Sequence, residues 1–282
     1  IATVDLSKNT ALTTLNMSDN TLSSITLPQT ETLTTLLLNN NLLTSVDLTK
    51  NTGLTELNVS YNNLMSLNVS KNTALTTLIA NSNSVRTISL PQSTTLTTIN
   101  VNSNALTSID VSNCTALTNL YIGENQLTEK KKKKNTKLKE IECHSNRFTT
   151  LDFSKNSSLR KISCYYNQIY DVPSGAQNGE SFVANLPNIY VNGFNHGDIL
   201  FTTVTDANNL TKDQVSIAIS KGWRMKFDDG TTYSGTATSA IEEVEVEDCD
   251  NDDAPRYNLM GQPVDDTYRG IVIQNGKKVL TK

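Results

Sequence analysis

Leucine and other apolar residues recur in one fixed order through more than half of the chain. Residues 33–41 read Leu-Thr-Thr-Leu-Leu-Leu-Asn-Asn-Asn, an LxxLxLxxN pattern that closes on an asparagine. The closing asparagine recurs every 21 residues, at Asn20, Asn41, Asn62, Asn83, Asn104, Asn125, Asn146 and Asn167. A fixed period of this length predicts a stacked array in which each repeat completes one coil.

The spacing inside one repeat indicates how the coil is built. In the repeat that closes at Asn62, apolar residues occupy positions 43, 46, 48, 54, 57 and 59. The alternation across Leu57-Asn58-Val59 predicts a short strand, and residues 50–53, Lys-Asn-Thr-Gly, are typical of a turn. We therefore predict about eight repeats of 21 residues, with parallel strands on one face, short extended or 3₁₀ segments on the other, and little α-helix.

The closing asparagine requires a structural role because it stands among apolar positions. Its side-chain amide can hydrogen-bond to backbone groups of its own coil and of the adjacent coil. An unpaired amide in an apolar interior would cost about 1–3 kcal/mol. We therefore predict a column of hydrogen-bonded asparagines along the stack.

Three segments resemble a known family: residues 43–52 (Leu-Thr-Ser-Val-Asp-Leu-Thr-Lys-Asn-Thr), 57–64 (Leu-Asn-Val-Ser-Tyr-Asn-Asn-Leu) and 141–146 (Ile-Glu-Cys-His-Ser-Asn). The array resembles leucine-rich repeat proteins, in particular the short-repeat type found on surface and secreted proteins of Bacteroidetes. The resemblance implies a right-handed solenoid of the α/β leucine-rich repeat class, mostly β, with a parallel sheet on its concave side. It implies little about function, because such solenoids are general binding scaffolds.

The repeat pattern ends after the eighth closing asparagine, and the composition of the remaining sequence changes at two places. We predict four regions: a solenoid at 1–172, a small α+β capping region at 173–240, an acidic linker at 241–256, and a hairpin tail at 257–282.

The capping region carries signals for one helix and several strands. Strands are expected at 188–191 and 199–204. Thr211 and Gln214 form a capping box and Gly222 is a stop signal, which together predict a helix between them.

Alternating apolar residues at 223–227, followed by Asp-Asp-Gly, predict a strand that turns back toward residues 231–234. Its aromatic row suits either a sugar-binding platform or a core that covers the open end of the solenoid. We favour the core, because the last coil of a solenoid needs a cover.

The tail resembles the last part of the C-terminal sorting domain of secreted Bacteroidetes proteins, which implies export to the cell surface or the medium. Asn275-Gly276 between two apolar runs predicts a hairpin.

In the linker, Asp248, Asp250 and Asp252 have the spacing that begins a calcium loop, but the glycine and the final glutamate of that loop are missing. We predict no metal site.

Composition and charge exclude several classes of partner. The net charge of -4 gives no reason to expect a nucleic acid or an anionic membrane as partner. No apolar run reaches the roughly 18 residues that a transmembrane helix needs. Ile1 begins inside a repeat without a polar cap, so we expect a trimmed or processed chain.

The four cysteines do not form a metal-binding pattern, since no CxxC pair exists and the two histidines are far apart. Cys143 and Cys164 occupy one repeat position, one period apart. They would stack in neighbouring coils about 4.8 Å apart, where a disulfide is geometrically possible. We favour two buried thiols in an apolar row.

A lysine tract at 130–134 interrupts the array, and Lys130 and Lys132 fall on core positions. Burying two ammonium groups there would cost several kcal/mol each, so the segment should project outward. Three interpretations remain: a basic patch for an anionic partner, a solvated loop, or, as we favour, a tract that is not natural to the protein.

The outward-facing strand positions define a candidate binding surface. They are mostly Thr, Asn and Ser in the first five repeats, with Leu37 and Ile79 as exceptions, and become varied toward the C-terminal end. The candidate residues are Asn119, Tyr121, Glu124, Glu140, Glu142, His144, Lys161, Tyr165 and Tyr166. Exposed aromatics beside carboxylates suit a polar ligand, although an ordinary varied surface is the alternative.

We therefore predict a secreted or cell-surface binding or adhesion protein that presents its concave surface to a protein, peptide or glycan, without a cofactor. The alternatives are a structural spacer at the cell surface and a glycan-active enzyme. Glu140 and Glu142 would lie about 7 Å apart on one strand, within the range of paired catalytic carboxylates. No nucleophile motif or phosphate-binding loop accompanies them, so we predict no catalysis.

Overall fold

The computed structural model shows two compact units, Ile1–Gly235 and Thr236–Lys282. In the first unit it describes residues 1–128, 135–169, 182–190, 197–203 and 208–235, and in the second it describes the backbone of four strands. The lysine tract at 130–134 and the aspartates at 248–252 lie outside the described residues.

Each repeat contributes short strands of three residues. These strands are β1 (Thr3–Asp5), β2 (Thr14–Asn16), β3 (Ser24–Thr26), β4 (Thr35–Leu37), β5 (Glu56–Asn58), β6 (Ser66–Asn68), β7 (Thr77–Ile79), β8 (Thr87–Ser89), β9 (Thr98–Asn100), β10 (Asn119–Tyr121), β11 (Glu140–Glu142) and β12 (Lys161–Ser163). Two longer strands follow, β13 (Gly197–Thr202) and β14 (Trp223–Phe227), with the helix α1 (Lys212–Ser220) between them.

Ten strands form one continuous parallel sheet, in the order β2-β4-β5-β7-β9-β10-β11-β12-β13-β14. The register advances by one repeat from strand to strand, so that Leu36 lies opposite Leu57 and Leu57 lies opposite Leu78. On the other side of the coil, β1 pairs with β3 and β6 pairs with β8. The predicted parallel solenoid with 21-residue coils is confirmed.

Apolar side chains from both sides of each coil form one continuous core. The central residues of the sheet strands are buried, and those of β4, β5 and β7, which are Leu36, Leu57 and Leu78, have 0% exposed surface. Burying a leucine of this kind stabilises the fold by about 2 kcal/mol. Cys143 and Cys164 belong to the same core with 0% exposure, so their predicted burial is confirmed.

The closing asparagines form the predicted column, as Asn62 illustrates. Its Nδ2 donates to the carbonyl of Leu38 in the preceding coil at 2.9 Å, and to the carbonyls of Val59 and Ser60 at 3.2 and 3.1 Å. Its Oδ1 accepts from the backbone N–H of Leu43 at 2.9 Å. Every polar atom of this buried amide is therefore paired with backbone.

The residue before each closing asparagine has a left-handed backbone. The eight residues, with φ between 50° and 56°, are Asp19, Asn40, Tyr61, Ser82, Ser103, Glu124, Ser145 and Tyr166. This conformation is uncommon outside glycine. Because it recurs once per coil, we attribute it to the turn that leads the chain from the strand to the asparagine.

A second asparagine column, which the sequence analysis missed, lies at the opposite corner of the coil. Asn72 Nδ2 donates to the carbonyl of Leu48 at 3.2 Å and to that of Asn51 at 2.8 Å. Asn135 and Asn156 donate to the preceding coil in the same way. The column therefore ties successive turns together on the side away from the large sheet.

The sheet continues into the capping region, because β13 pairs in parallel with β12 and β14 pairs in parallel with β13. Asn208 supplies the next rung of the asparagine column. Its Nδ2 donates to the carbonyl of Cys164 at 2.8 Å, and its Oδ1 accepts from the N–H of Ile169 at 2.8 Å. Asn208 follows Asn167 by 41 residues and not by one repeat length. The fixed period therefore did not predict this rung.

The predicted helix is present as α1. Thr211 Oγ1 accepts from the N–H of Gln214, and the Gln214 side chain accepts from the N–H of Thr211, so the capping box is confirmed. Gly222 follows the helix with a φ of 94°, a backbone conformation that favours glycine.

The strand predicted at 188–191 is wrong over residues 188–190, which form no strand. There the side chain of Asn188 accepts from the N–H of Tyr190 at 3.1 Å. Such a local side-chain bond competes with strand pairing.

The aromatic row of β14 forms core rather than a sugar platform. Trp223 is fully buried, and its Nε1 donates to the carbonyl of Pro187 at 2.9 Å. Phe227 packs edge-on against Tyr233, with ring centroids 5.4 Å apart. Lys226 pairs in antiparallel fashion with Thr232, so the chain turns back after β14 as predicted.

The second unit is a small sheet of β15 (Arg256–Asn258), β16 (Pro263–Val264), β17 (Gly270–Gln274) and β18 (Lys277–Thr281). Its order is β16-β15-β17-β18. The antiparallel pairing of β17 with β18 confirms the predicted hairpin. None of the described helices is long and apolar enough to cross a membrane.

Candidate ligand-binding surface

Strand register brings the candidate residues from three consecutive coils onto one end of the large sheet. Asn119 lies opposite Glu140, and Glu140 lies opposite Lys161. Tyr121 lies opposite Glu142 in the next column. The first half of the sheet is uniform by comparison, since Thr34 and Thr55 each donate to a threonine carbonyl of the preceding coil.

Glu140 is the centre of a polar network on this sheet. Lys161 Nζ contacts Glu140 Oε1 at 2.6 Å and Glu142 Oε1 at 3.8 Å. Tyr121 Oη and Asn119 Nδ2 donate to Glu140 Oε2 at 3.2 and 3.3 Å. The hydrogen bond to Glu140 raises the pKa of Lys161, and burial raises the pKa of Tyr121.

Three charged residues that the sequence analysis missed extend this network into the capping strands. Asp198 lies opposite Lys161 and also opposite Arg224. Arg224 Nε contacts Asp198 Oδ1 at 2.6 Å, and Lys226 Nζ contacts Asp198 Oδ2 at 3.2 Å. The alternation of Arg224 and Lys226 with apolar residues was visible in sequence, but nothing there indicated that β14 joins the same sheet.

Histidine and tyrosine side chains form an aromatic cluster at the ends of the strands. The rings of His144 and Tyr165 stack with centroids 4.6 Å apart and planes 4° apart. Tyr166 meets Tyr165 edge-on at 5.6 Å. We call His144, Tyr165 and Tyr166 the aromatic corner.

Gly123 makes room for the aromatic corner. A Cβ on Gly123 would lie 2.7 Å from His144 Nε2 and 2.9 Å from its ring carbons, a separation at which the ring would have to shift. Burial lowers the pKa of His144, which favours the neutral imidazole in the stack.

Carboxylates surround the aromatic corner. Glu142 accepts from Asn102 Nδ2 at 3.1 Å, and Glu124 accepts from Ser103 Oγ at 2.7 Å. Burial, and next the negative charges of Glu142, Asp228 and Glu124, raise the pKa of Tyr165. Asp228 directly follows β14, and the sequence indicated it only as part of a turn, not as a candidate binding residue.

The paired glutamates Glu140 and Glu142 both contact neighbouring side chains of the binding surface, chiefly Lys161. Their side chains are partly buried, with 22% and 27% of their surface exposed. Among the described residues, no group of three or more His, Cys, Asp or Glu side chains could hold a metal ion.

Comparison with solved structures identifies the fold. The functional domain of InlJ from Listeria monocytogenes is 25% identical, with a TM-score of 0.56, over 80% of this chain and 52% of that chain. The leucine-rich effector YopM from Yersinia pestis is 22% identical, with a TM-score of 0.54, over 70% and 55% of the two chains. The leucine-rich repeat domain of APL1B is 19% identical, with a TM-score of 0.55, over 92% and 73%.

These likenesses confirm the leucine-rich repeat fold that the sequence predicted. The chain spans about half the length of the InlJ and YopM chains it matches. No protein-family model and no curated protein sequence matches the chain.

Proposed function

We propose that this chain is a secreted or cell-surface binding protein that holds a protein or peptide on the C-terminal end of its concave sheet. The observation that carries the proposal is the contrast along the sheet. Threonine columns repeat through the first half, whereas ion pairs and the aromatic corner occupy the last four coils.

A protein or peptide suits this surface better than a neutral glycan. Alternating charges such as Glu140, Lys161, Asp198 and Arg224 complement a partner that carries both signs of charge and backbone amides. Tyrosine is among the side chains that are enriched at the energetically dominant positions of protein interfaces. The proposed location outside the cell rests on the sorting-domain resemblance of the tail.

The chain offers a matched pair of residues for the test. Tyr166 and Tyr61 occupy the same repeat position, both with a left-handed backbone, and they are 48% and 57% exposed. Only Tyr166 belongs to the aromatic corner. We propose selecting binders from a random peptide library displayed on phage, then measuring their affinity for the wild type, Tyr166→Ala and Tyr61→Ala.

We expect Tyr166→Ala to weaken the selected peptides by at least about tenfold and Tyr61→Ala to leave them unchanged. Equal affinity for all three proteins, or the same loss in both variants, would remove the support for this site. A structural spacer, suggested by the uniform threonine columns, would yield no peptide that depends on Tyr166. A glycan array run on the same proteins would show whether a sugar takes the peptide's place.

A further inference from the structure

Charges separate across the C-terminal end of the sheet. At the starts of the parallel strands stand the cations Lys139, Arg160 and Lys161. At or beyond the strand ends stand Glu124, Glu142 and Asp228. Because the strands run in the same direction, the three carboxylates lie toward one edge of the surface, the acidic edge. At the strand starts, by contrast, Glu140 and Asp198 are paired with cations.

The acidic edge is incompletely neutralised, unlike the middle of the sheet. Glu140 and Asp198 are each in contact with a cation at 2.6 Å. Glu142 meets Lys161 only at 3.8 Å. In the part of the chain that the structure describes, no cation lies within ion-pair distance of Glu124 or Asp228.

The aromatic corner lies between these carboxylates. Glu124, Ser145 and Tyr166 hold the same repeat position in three successive coils, and His144 lies two residues after Glu142, beyond the end of β11. Tyr166 is 48% exposed and Glu124 and Asp228 are exposed. Aromatic rings beside carboxylates attract an organic cation, through the ring quadrupole and through charge-assisted hydrogen bonds.

We propose that the partner inserts an arginine or lysine side chain at the aromatic corner, between Glu124, Glu142 and Asp228, an inference that rests on the proposed function. The described residues form no group of three or more His, Cys, Asp or Glu side chains that could hold a metal ion, so the proposal concerns an organic cation. The incompletely neutralised acidic edge thus selects a basic residue of the partner.

N-acetylarginine amide is a suitable probe, with N-acetylcitrulline amide as its uncharged counterpart of the same shape. Each would be titrated into the full chain while the aromatic NMR signals of His144, Tyr165 and Tyr166 are followed. The test variant is Glu124→Gln with Asp228→Asn, which keeps the size of both side chains. The control variant is Glu56→Gln, which removes an exposed carboxylate on β5, in the threonine-rich half of the sheet.

We expect the arginine probe to bind at least about tenfold more tightly than the citrulline probe, as for other charge-assisted contacts. The double variant should abolish this preference and Glu56→Gln should keep it. Equal binding of the two probes, or an unchanged preference in the double variant, would overturn the inference. If peptides still depend on Tyr166 in that case, the proposed function stands and only the basic-residue assignment fails.

Discussion

Replacing Asn62 with alanine tests whether the asparagine column holds the coils together. Asn62 is 7% exposed and makes four hydrogen bonds to backbone atoms of its own coil and the preceding one. Asn62 lies outside the helices and strands. A change in helix or strand propensity therefore does not contribute to the effect of the alanine substitution.

The expected loss follows from which backbone groups keep another partner. The carbonyl of Leu38 retains the amide of Asn41, and that of Val59 retains the amide of Asn83. The N–H of Leu43, which bonds to Asn62 Oδ1, loses its partner in the buried turn. An orphaned buried N–H together with the lost bonds should lower the free energy of unfolding by about 3 kcal/mol.

Urea unfolding followed by circular dichroism measures this loss, and hydrogen exchange at the Leu43 amide locates it. Asn20→Ala is the matched control, because Asn20 is half-buried and its Nδ2 donates to carbonyls of its own coil, Met17 and Ser18. We expect the control to lose less than about 1 kcal/mol. Equal effects in the two variants, with unchanged exchange at Leu43, would refute the role of the column.

Three further predictions concern the cap and the aromatic corner. Asn208→Ala should destabilise the chain by about 2–3 kcal/mol in urea unfolding, because it removes a buried rung; an effect below about 0.5 kcal/mol would contradict that role. Gly123→Ala should push His144 off Tyr165, since the new Cβ would lie 2.7 Å from the imidazole, and unchanged ring-current shifts in the NMR spectrum would contradict the contact. Burial lowers the pKa of His144 below its ordinary value of 6.5, so protonation favours the unfolded chain. The stability from the neutral ring is therefore lost as the pH falls from about 6.5 toward the lowered pKa of the folded chain. Wild type should therefore lose more stability than His144→Gln between about pH 7 and 5 in urea unfolding, and parallel losses would contradict the assignment.

The sequence predicted the features that depend on the repeat itself. Leucine spacing and the closing asparagine determine the coil, the sheet and the column, because each is a local pattern that the next coil must match. The capping box at Thr211 and the pairing of β17 with β18 were predictable for the same reason, since their signals lie within a few residues.

Features that depend on pairing between distant segments were not predictable. Asn208 acts as a rung because β13 joins the sheet after a long insertion, and Asp198 and Arg224 meet for the same reason. The second column at Asn51 and Asn72 does follow the fixed period. It was not predicted because residues 50–53 have the composition of a turn, which accounts for Asn51 without a hydrogen bond between coils.

The most direct test of the binding surface is site-specific photo-crosslinking. A benzophenone amino acid would replace Tyr166 in one protein and Tyr61 in another, and each would be irradiated with a phage-selected peptide. The account predicts a covalent adduct through position 166, suppressed by excess unlabelled peptide, and none through position 61. Adducts through position 61 alone, or equal adducts through both, would contradict a partner bound at the C-terminal end of the concave sheet.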